Sequence, residues 1–370
     1  MDRYSRHPDG SSFLIKYIGS KRRLLPYIVR AVQELGVASA LDVFAGTTRV
    51  GQALKSQGLY VISNDTASYS YVLGKTFIAV DGRRISREFQ DFLDWINWDL
   101  NKPTLARDSY ITQKFSREAR FFQEQNARQI DGIIHHINKY VTNPTWKAVA
   151  QTSLLLAADK VDSTCGLFNA YLKQWAPRSF NPIRLERPKL LEGAGLAVQY
   201  DATSNDATVL SERCDLTYLD PPYNQHRYDC NYHVWETLVR GDEPETYGVV
   251  NKRVDCKQGH SPFNRKAEAL PAMQRMIRRI QSPFLLTSFS NEGYILHADL
   301  LDALSDKAYT RYVCIPHQRY IGASIGVYNP QGEKVGEMDH TRNVEYLFIT
   351  GETLAVNRAA DAVEKIVLLS

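Results

Sequence analysis

The residues with the clearest chemical purpose are Asp220, Pro221, Pro222 and Tyr223, which follow directly on the apolar run CDLTYL. Two successive prolines have fixed φ angles and no N–H donors. They form a stiff corner whose carbonyl can point into a cleft. The Asp220 carboxylate and the Pro221 carbonyl are then two acceptors suited to an amino group conjugated to a purine ring. They draw electron density toward the nitrogen and aim its lone pair at an electrophile. Tyr223 supplies a flat face on which a base can stack. The plainer alternative is a structural Asp-Pro turn followed by a core aromatic. Its place at the C-terminal end of a strand, where open α/β sheets bind their ligands, favours the chemical reading.

A second constellation lies near the N-terminus. Asp42, Val43, Phe44, Ala45, Gly46 and Thr47 run from a strand into a turn of small residues, and Thr48-Arg49-Val50-Gly51 opens a helix. Small residues let a ligand approach the backbone, and a helix N-terminus offers unpaired N–H groups. Such a turn alone is equally a plain strand–helix connection. About 20 residues on, a second strand ends in Ser63-Asn64-Asp65. An acidic residue there can accept from both hydroxyls of a ribose; the alternative is that Asp65 caps the next helix. The turn lacks the G-x-G-x-x-G phosphate fingerprint, so it suits a nucleoside better than a pyrophosphate. S-adenosyl-L-methionine is therefore the expected cofactor, rather than NAD.

Elements of both periods must position these residues. KRRLLPYIVRAVQEL reads as a helix, ALDVFAG and GLYVISND as strands, and from 196 onward short apolar strands return: CDLTYLD, PFLLTSFS, YTRYVCI and VEYLFITG. Between them, REFQDFLDWINWDL, SREARFFQEQNARQIDGIIHHINKY and WKAVAQTSLLLAADKV have helical spacing. Alternating strands and helices imply an α/β fold with a mostly parallel sheet covered on both faces. The helical block reads as an insertion. Residues 12–80 and 196–370 are the expected catalytic domain and 81–195 the expected insert. Residues 224–282, polar and spotted with Gly, Pro and Asn, read as a long, mobile loop.

Composition narrows the class. The 370 residues are 44% hydrophobic and 23% charged, ordinary for a protein with a substantial core. No run approaches the roughly 20 apolar residues of a membrane span. The polar start, MDRYSRHPDGSSF, lacks a secretory signal, so a cytoplasmic location is expected. The five cysteines have no paired C-x-x-C spacing, and neither a metal site nor a disulfide framework is expected. Net charge is only +4, yet residues 81–195 hold 17 Lys and Arg against 13 Asp and Glu, while the rest holds 28 of each. The whole excess sits in the helical block. A solvated surface explains it equally well until a nucleic-acid partner is indicated.

The order of these motifs resembles the Dam-type DNA adenine amino-methyltransferases. Lys16-Tyr17-Ile18-Gly19-Ser20-Lys21 is similar to the family's N-terminal motif, DVFAGTTRVG to its cofactor loop and DPPY to its catalytic loop. NYHVWETL, LLTSFSNEG and HTRNVEYLFITG extend the match over most of 14–80 and 196–350. Thr47-Thr48 departs from it, since the family usually has Gly or Ser after the first glycine. The resemblance implies a Rossmann-like, seven-stranded methyltransferase fold with an inserted target-recognition domain. It implies that Tyr17 and Lys21 contact the methionine end of the cofactor and Asp65 its ribose. Asp201 and Ala202 would lie beside its adenine, and Asp220 would hold the target amine.

The reaction so implied is an in-line attack of the adenine N6 on the sulfonium methyl, with the base flipped out of the duplex. No cysteine stands in a Pro-Cys setting, which argues against attack of a thiolate on cytosine carbon. A DNA substrate accounts for the basic insert, where Arg107, Lys114, Arg117, Arg120 and Arg128 are candidate contacts, together with Asn251, Lys252 and Arg253 of the long loop. A restriction–modification role, with a cognate endonuclease as partner, is the expected setting. The rival readings are an RNA adenine methyltransferase, for which no RNP-type motif is present, and a non-catalytic DNA-binding protein on the same fold.

Overall fold

The computed structural model describes residues 15–19, 21–204, 208–258, 261–318, 327–328, 334–336 and 342–369. Residues 12–14 of the expected first domain lie outside them. So do Ser20, Gly259 and His260 of the long polar segment, and His340 and Thr341 of the HTRNVEYLFITG segment. In chain order the elements are α1 (Leu25–Leu35), β1 (Ser39–Asp42), α2 (Arg49–Ser56), β2 (Tyr60–Asn64), α3 (Ser68–Gly74), α4 (Arg87–Trp98), α5 (Glu124–Tyr140), α6 (Pro144–Val161), β3 (Gly195–Val198) and β4 (Leu216–Leu219). There follow α7 (Tyr228–Asn231), α8 (His233–Arg240), β5 (Thr246–Tyr247), β6 (Lys252–Arg253), α9 (Lys266–Arg279), β7 (Phe284–Ser290), α10 (His297–Ser305), β8 (Tyr309–Gln318), β9 (Val327–Tyr328), β10 (Lys334–Gly336), β11 (Arg342–Gly351) and α11 (Thr353–Leu369).

The strands run in the order β3-β2-β1-β4-β7-β11-β8. β2 and β3, β1 and β4, and β4 and β7 pair in parallel. β11 alone lies antiparallel to both its neighbours. This is the mainly parallel sheet expected from the alternation of strands and helices, with the seven strands that the family resemblance implies. β4 is buried throughout, and its two polar groups are satisfied inside, the Thr217 hydroxyl with that of Ser282 at 2.7 Å and the Tyr218 hydroxyl with that of Ser288 at 2.6 Å, as a strand covered on both faces requires.

The chain divides into two compact units, the first comprising Met1–Arg23, Ala45–Asp201 and Arg227–His260. Its core is built on α6, which buries side chains on every face and so serves as a central helix. The polar ones are satisfied: Gln151 Nε2 donates to the Val239 carbonyl at 2.6 Å, and the Thr76 and Thr152 hydroxyls share a bond of 2.8 Å. Phe89, Phe92, Phe115, Phe121, Phe122, Phe168 and Trp235 fill the remaining space. The text SREARFFQEQ reads as one helix with α5, but the structure breaks it. A π-helical turn, Thr112–Glu118, ends at Arg120 in a left-handed conformation, φ 54°. Phe121 and Phe122 then both donate their N–H to the Phe115 carbonyl, at 2.8 and 3.1 Å, which tucks all three rings inside.

Residues 224–282, read from composition as a loop, carry α7, α8, the β5–β6 hairpin and α9. The reason is amphipathicity on a short scale. α8 buries Val234, Trp235, Leu238 and Val239 in a segment whose flanks are polar.

The second unit comprises Leu24–Phe44, Ala202–His226 and Ser261–Ser370. α1 starts with Pro26 in its first turn, where a missing N–H costs nothing. It ends on Gly36 at φ 67°, whose N–H caps the Gln33 and Val32 carbonyls. It buries Ile28, Ala31, Val32 and Leu35, one helical face, against α11. The Asp215 carboxylate accepts from the N–H groups of Ala38 and Ser39, both at 2.9 Å, and from the Ser39 hydroxyl at 3.0 Å. That carboxylate joins the starts of β1 and β4.

Candidate active site

In the first unit the small-residue turn is wound tightly. Gly46 has φ 50° and Thr48 φ 59°, conformations that glycine adopts freely and a β-branched residue resists. The Thr48 N–H donates to the Ala45 carbonyl at 2.6 Å, and the Thr48 hydroxyl donates to the Thr47 carbonyl at 2.7 Å. The Ala45 N–H donates to the Asn64 carbonyl at 2.9 Å, tying the turn to the end of β2.

Asp65 is placed against this turn. Its Oδ2 accepts from the Gly46 N–H at 2.8 Å and its Oδ1 from the Ala67 N–H at 3.0 Å. Burial pushes its carboxyl above the usual range, and those two N–H groups partly offset the effect. One carboxylate thus shapes both the turn and the entrance to α3. The Ser70 hydroxyl donates to the Gly46 carbonyl from the other side. Asn64, expected beside a cofactor, exchanges bonds with Tyr200: its Nδ2 donates to the Tyr200 carbonyl at 3.1 Å and its Oδ1 accepts at 2.9 Å. Asp201, next in sequence, is exposed, and Ala202 is buried.

Tyr17 lies over Gly46. A Cβ added to that glycine would come within 3.1 Å of the Tyr17 ring, a crowded contact at a φ that already favours glycine. The Tyr17 ring stacks on Tyr232 (centroids 4.6 Å apart) and on Tyr228 (5.3 Å), and its hydroxyl meets that of Tyr69 at 3.2 Å. Burial raises its pKa. Tyr232 also accepts the Ile18 N–H at 2.7 Å. Sequence reasoning missed Tyr228 and Tyr232 as part of this cluster. The signal that could have found them is the aromatic spacing RYDCNYHVW shortly after DPPY. Lys16 is anchored to α6, its Nζ donating to the Asp159 carbonyl at 2.5 Å and to Asp162 Oδ1 at 3.0 Å. Lys21 is buried in a 3₁₀ turn.

In the second unit, Asp42 is buried at the end of β1 and Phe44 packs edge-on against Phe263, centroids 5.8 Å apart. The Val43 N–H donates to the Tyr218 carbonyl at 3.2 Å. Asp220 follows β4 directly, with Pro221 buried and Pro222 half-buried. Tyr223 packs edge-to-face on Phe289 at 5.8 Å, and its carbonyl accepts the Tyr294 N–H at 2.7 Å. Asn264 Nδ2 donates to the Asn224 carbonyl at 2.8 Å. The C-terminal end of the Asp-Pro-Pro-Tyr segment is therefore tethered within its own unit.

The basic candidates separate by environment. Arg117 pairs with Asp108 and Glu124 at 2.6 and 2.7 Å, and Lys114 with Glu118 at 3.0 Å. Arg253 is buried and held by Asp242 and Asp255, at 2.7 and 2.9 Å. Asn251 is buried too, at φ 51°, donating to the Lys114 carbonyl and to Glu118. Arg107 and Arg128 are exposed and Lys252 half-buried. Arg120 lies over the rings of Tyr171 and Trp175. The fold also gathers Asp229, Cys230 and Cys256, whose potential ligand atoms all lie within 4.8 Å of one another. Their separation in sequence hid that cluster. Among the described residues no helix is long and apolar enough to cross a membrane.

Known methylases are similar to this chain. The chain is 30% identical over 331 residues to the modification methylase StsI of Streptococcus sanguinis, covering 84% of this chain and 50% of that protein. It is 28% identical to the type II methyltransferase M.NlaIII of Neisseria lactamica, over 75% of this chain and 84% of that one. With the type II methyltransferase M.CviAII of Paramecium bursaria Chlorella virus 1 it shares 27% identity over 83% and 92% of the two chains. The chain thus spans about half the length of StsI and nearly the whole of M.CviAII. A family profile matches residues 17–281, a range that opens at Tyr17 and contains the Gly46 turn, Asp65 and the Asp220 loop, and the chain belongs to the D12 class of N6 adenine-specific DNA methyltransferases.

Proposed function

We propose that this chain transfers a methyl group from S-adenosyl-L-methionine to the exocyclic N6 amine of an adenine flipped out of double-stranded DNA. The observation that carries the reading is Asp220-Pro221-Pro222-Tyr223 fixed at the C-terminal end of the parallel strand β4 in a chain of this family. When bound, the cofactor supplies an electrophilic sulfonium methyl. The protein's contribution is position. Asp220 and the Pro221 carbonyl accept hydrogen bonds from the two amine N–H groups and turn the nitrogen lone pair toward the methyl, while Tyr223 supports the base. Asp220 Oδ also stands as the acceptor for the proton that the amine releases on methylation.

The Gly46 turn supports the cofactor assignment. Gly46 lets Tyr17, the residue assigned to the methionine end, pack directly on the backbone of the turn, where a Cβ would crowd the ring at 3.1 Å. Tyr17 and Lys21 are assigned to the methionine end, and Asp42, Phe44, Ala45, Gly46 and Thr47 to the loop around it. Asn64, Asp65, Asp201 and Ala202 are assigned to the ribose and adenine. Asp65 serves by shaping the turn as well as by facing the ribose. The type II and modification methylases among its relatives favour a restriction–modification setting, with a cognate endonuclease and a cytoplasmic location.

The test is methyl transfer from labelled S-adenosyl-L-methionine to mixed-sequence duplex DNA and, in parallel, to total RNA. Label in DNA N6-methyladenine is expected, with a fall of at least about 100-fold for Asp220→Ala, the loss of one preorganised acceptor. Label confined to RNA would overturn the substrate, and transfer undiminished in Asp220→Ala would overturn the site.

A further inference from the structure

Resting on the DNA reading above, we propose that Arg120, Tyr171 and Trp175 form a stacking site for an unpaired nucleobase of the DNA substrate, a base other than the one presented to Asp220. Three observations within the first unit converge on it. The first is backbone geometry. Arg120 holds φ 54°, a conformation costly for an L side chain. It is enforced by the two N–H groups that follow, both bonded to the Phe115 carbonyl. The turn buries Phe115, Phe121 and Phe122 and leaves the Arg120 side chain directed away from them, over Trp175 at 5.2 Å and Tyr171 at 6.0 Å.

The second is the state of its charge. Arg117 and Lys114, in the same turn, are each neutralised by carboxylates. Among the described residues no carboxylate pairs with Arg120; its partners are the two rings. A guanidinium over an aromatic face is a flat, weakly hydrated cation, better matched to a base than to a phosphate.

The third is preorganisation. Residues 166–176 have no regular secondary structure, yet the segment is pinned at both ends. The Phe168 N–H donates to the Asn231 carbonyl at 3.0 Å with its ring buried, and the Ala176 N–H donates to the Ser163 hydroxyl at 3.0 Å. Between these pins Tyr171 is 41% exposed. A fixed loop that presents an aromatic ring to solvent beside an uncompensated arginine gives up little entropy on stacking a base. Every base has a π face, so such a site tolerates any sequence. It would take up a base that loses its partner when the target adenine leaves the helix, and so act as a positioning site for the flipped state.

The experiment uses the full chain with S-adenosyl-L-methionine and a mixed-sequence duplex carrying one unpaired 2-aminopurine. Stacking quenches that probe. The unaltered chain is expected to bind it with a fall in emission. Tyr171→Ala and Trp175→Ala should each weaken binding by about 5- to 150-fold, the range for one lost base–aromatic stack. Tyr171→Phe should restore both affinity and quenching. Arg120→Gly relieves the left-handed backbone, so it should melt no lower than the unaltered chain while binding more weakly. The slope of affinity against salt should be unchanged in Tyr171→Ala, which removes no phosphate contact. Alanine variants that bind and quench like the unaltered chain would overturn the site, as would Tyr171→Phe losing as much as Tyr171→Ala. Methyl transfer to duplex DNA by the unaltered chain separates the two claims. Transfer with indifferent variants sinks the stacking site alone, whereas a chain that neither binds nor methylates DNA sinks the parent reading with it.

Discussion

Thr48 shows how a single residue can carry two opposed terms. Its left-handed φ costs about 1–2 kcal/mol, and its buried hydroxyl returns about that much by donating to the Thr47 carbonyl and accepting from Gln52 Nε2 at 2.9 Å. Thr48→Ala keeps the strain and loses the bonds, so it should lower stability by about 2 kcal/mol. Thr48→Gly loses both and should stay within about 1 kcal/mol of the unaltered chain. Urea denaturation of the pair measures the difference; equal losses would mean that the backbone at Thr48 is not strained. The residue belongs to the pair Thr47-Thr48, at which the sequence departs from the cofactor-loop motif it resembles. The sequence shows that departure but not its cause, because the hydroxyl's partners depend on how the turn is wound. Asp65 could be picked out of the sequence as a candidate, yet its bonds to Gly46 and Ala67 could not, since either a ribose or a helix entrance can occupy a carboxylate at that spacing.

At the scale of elements, period and punctuation made most of the sheet readable: CDLTYLD and PFLLTSFS are the parallel neighbours β4 and β7. What defeated the reading were elements held by distant partners. Lys55 is one example. Its ammonium is buried and donates to the carbonyls of Phe77, Ile78 and Val80, at 3.1, 2.7 and 2.7 Å, pinning the π-helical turn Lys75–Ala79. Nothing local in either segment announces that bond. Asp215 is a second, and it makes a pH prediction. The N–H groups of Ala38 and Ser39 and the Ser39 hydroxyl hold its carboxyl below the usual range. A depressed carboxyl stabilises the fold above its unfolded pKa of about 4, and that stability is lost as the pH falls through the folded value. Asp215→Asn should therefore cost about 1 kcal/mol at pH 7, and the gap to the unaltered chain should shrink below pH ~4. Urea midpoints at pH 7 and pH 3 test it, and a gap that widens in acid would refute the assignment.

For the molecule as a whole, net charge is a poor guide until the charges are placed. Of the basic residues marked in the sequence, Arg253 is internal and Arg117 and Lys114 are compensated, while Arg107 and Arg128 are exposed and carry no ion pair among the described residues. Arg107→Gln and Arg128→Gln should each reduce the slope of log affinity for DNA against log salt by about 0.9, the signature of one phosphate contact. Arg253→Gln should instead lower stability, by about 1–3 kcal/mol, because it removes a buried guanidinium and its charge-assisted bonds to Asp242 and Asp255, whose exposed carboxylates keep Arg240 as a partner. A salt titration beside a melting curve separates the two classes, and a slope unchanged by both Arg107→Gln and Arg128→Gln would remove them from the interface.

The antiparallel placement of β11 sets a timetable for the making of this protein. β11 pairs with β7 from Leu285 to Ser290 on one side and with β8 from Tyr309 to Gln318 on the other, yet it follows both in the chain. As the chain leaves the ribosome, β7 and β8 emerge with the strand that joins them still to be synthesised. Each then presents an open edge, the feature that invites pairing with a stranger. The last strand thus acts as the closing piece of the sheet, and stalled or truncated translation short of Gly351 should yield an aggregating product rather than a shorter working enzyme.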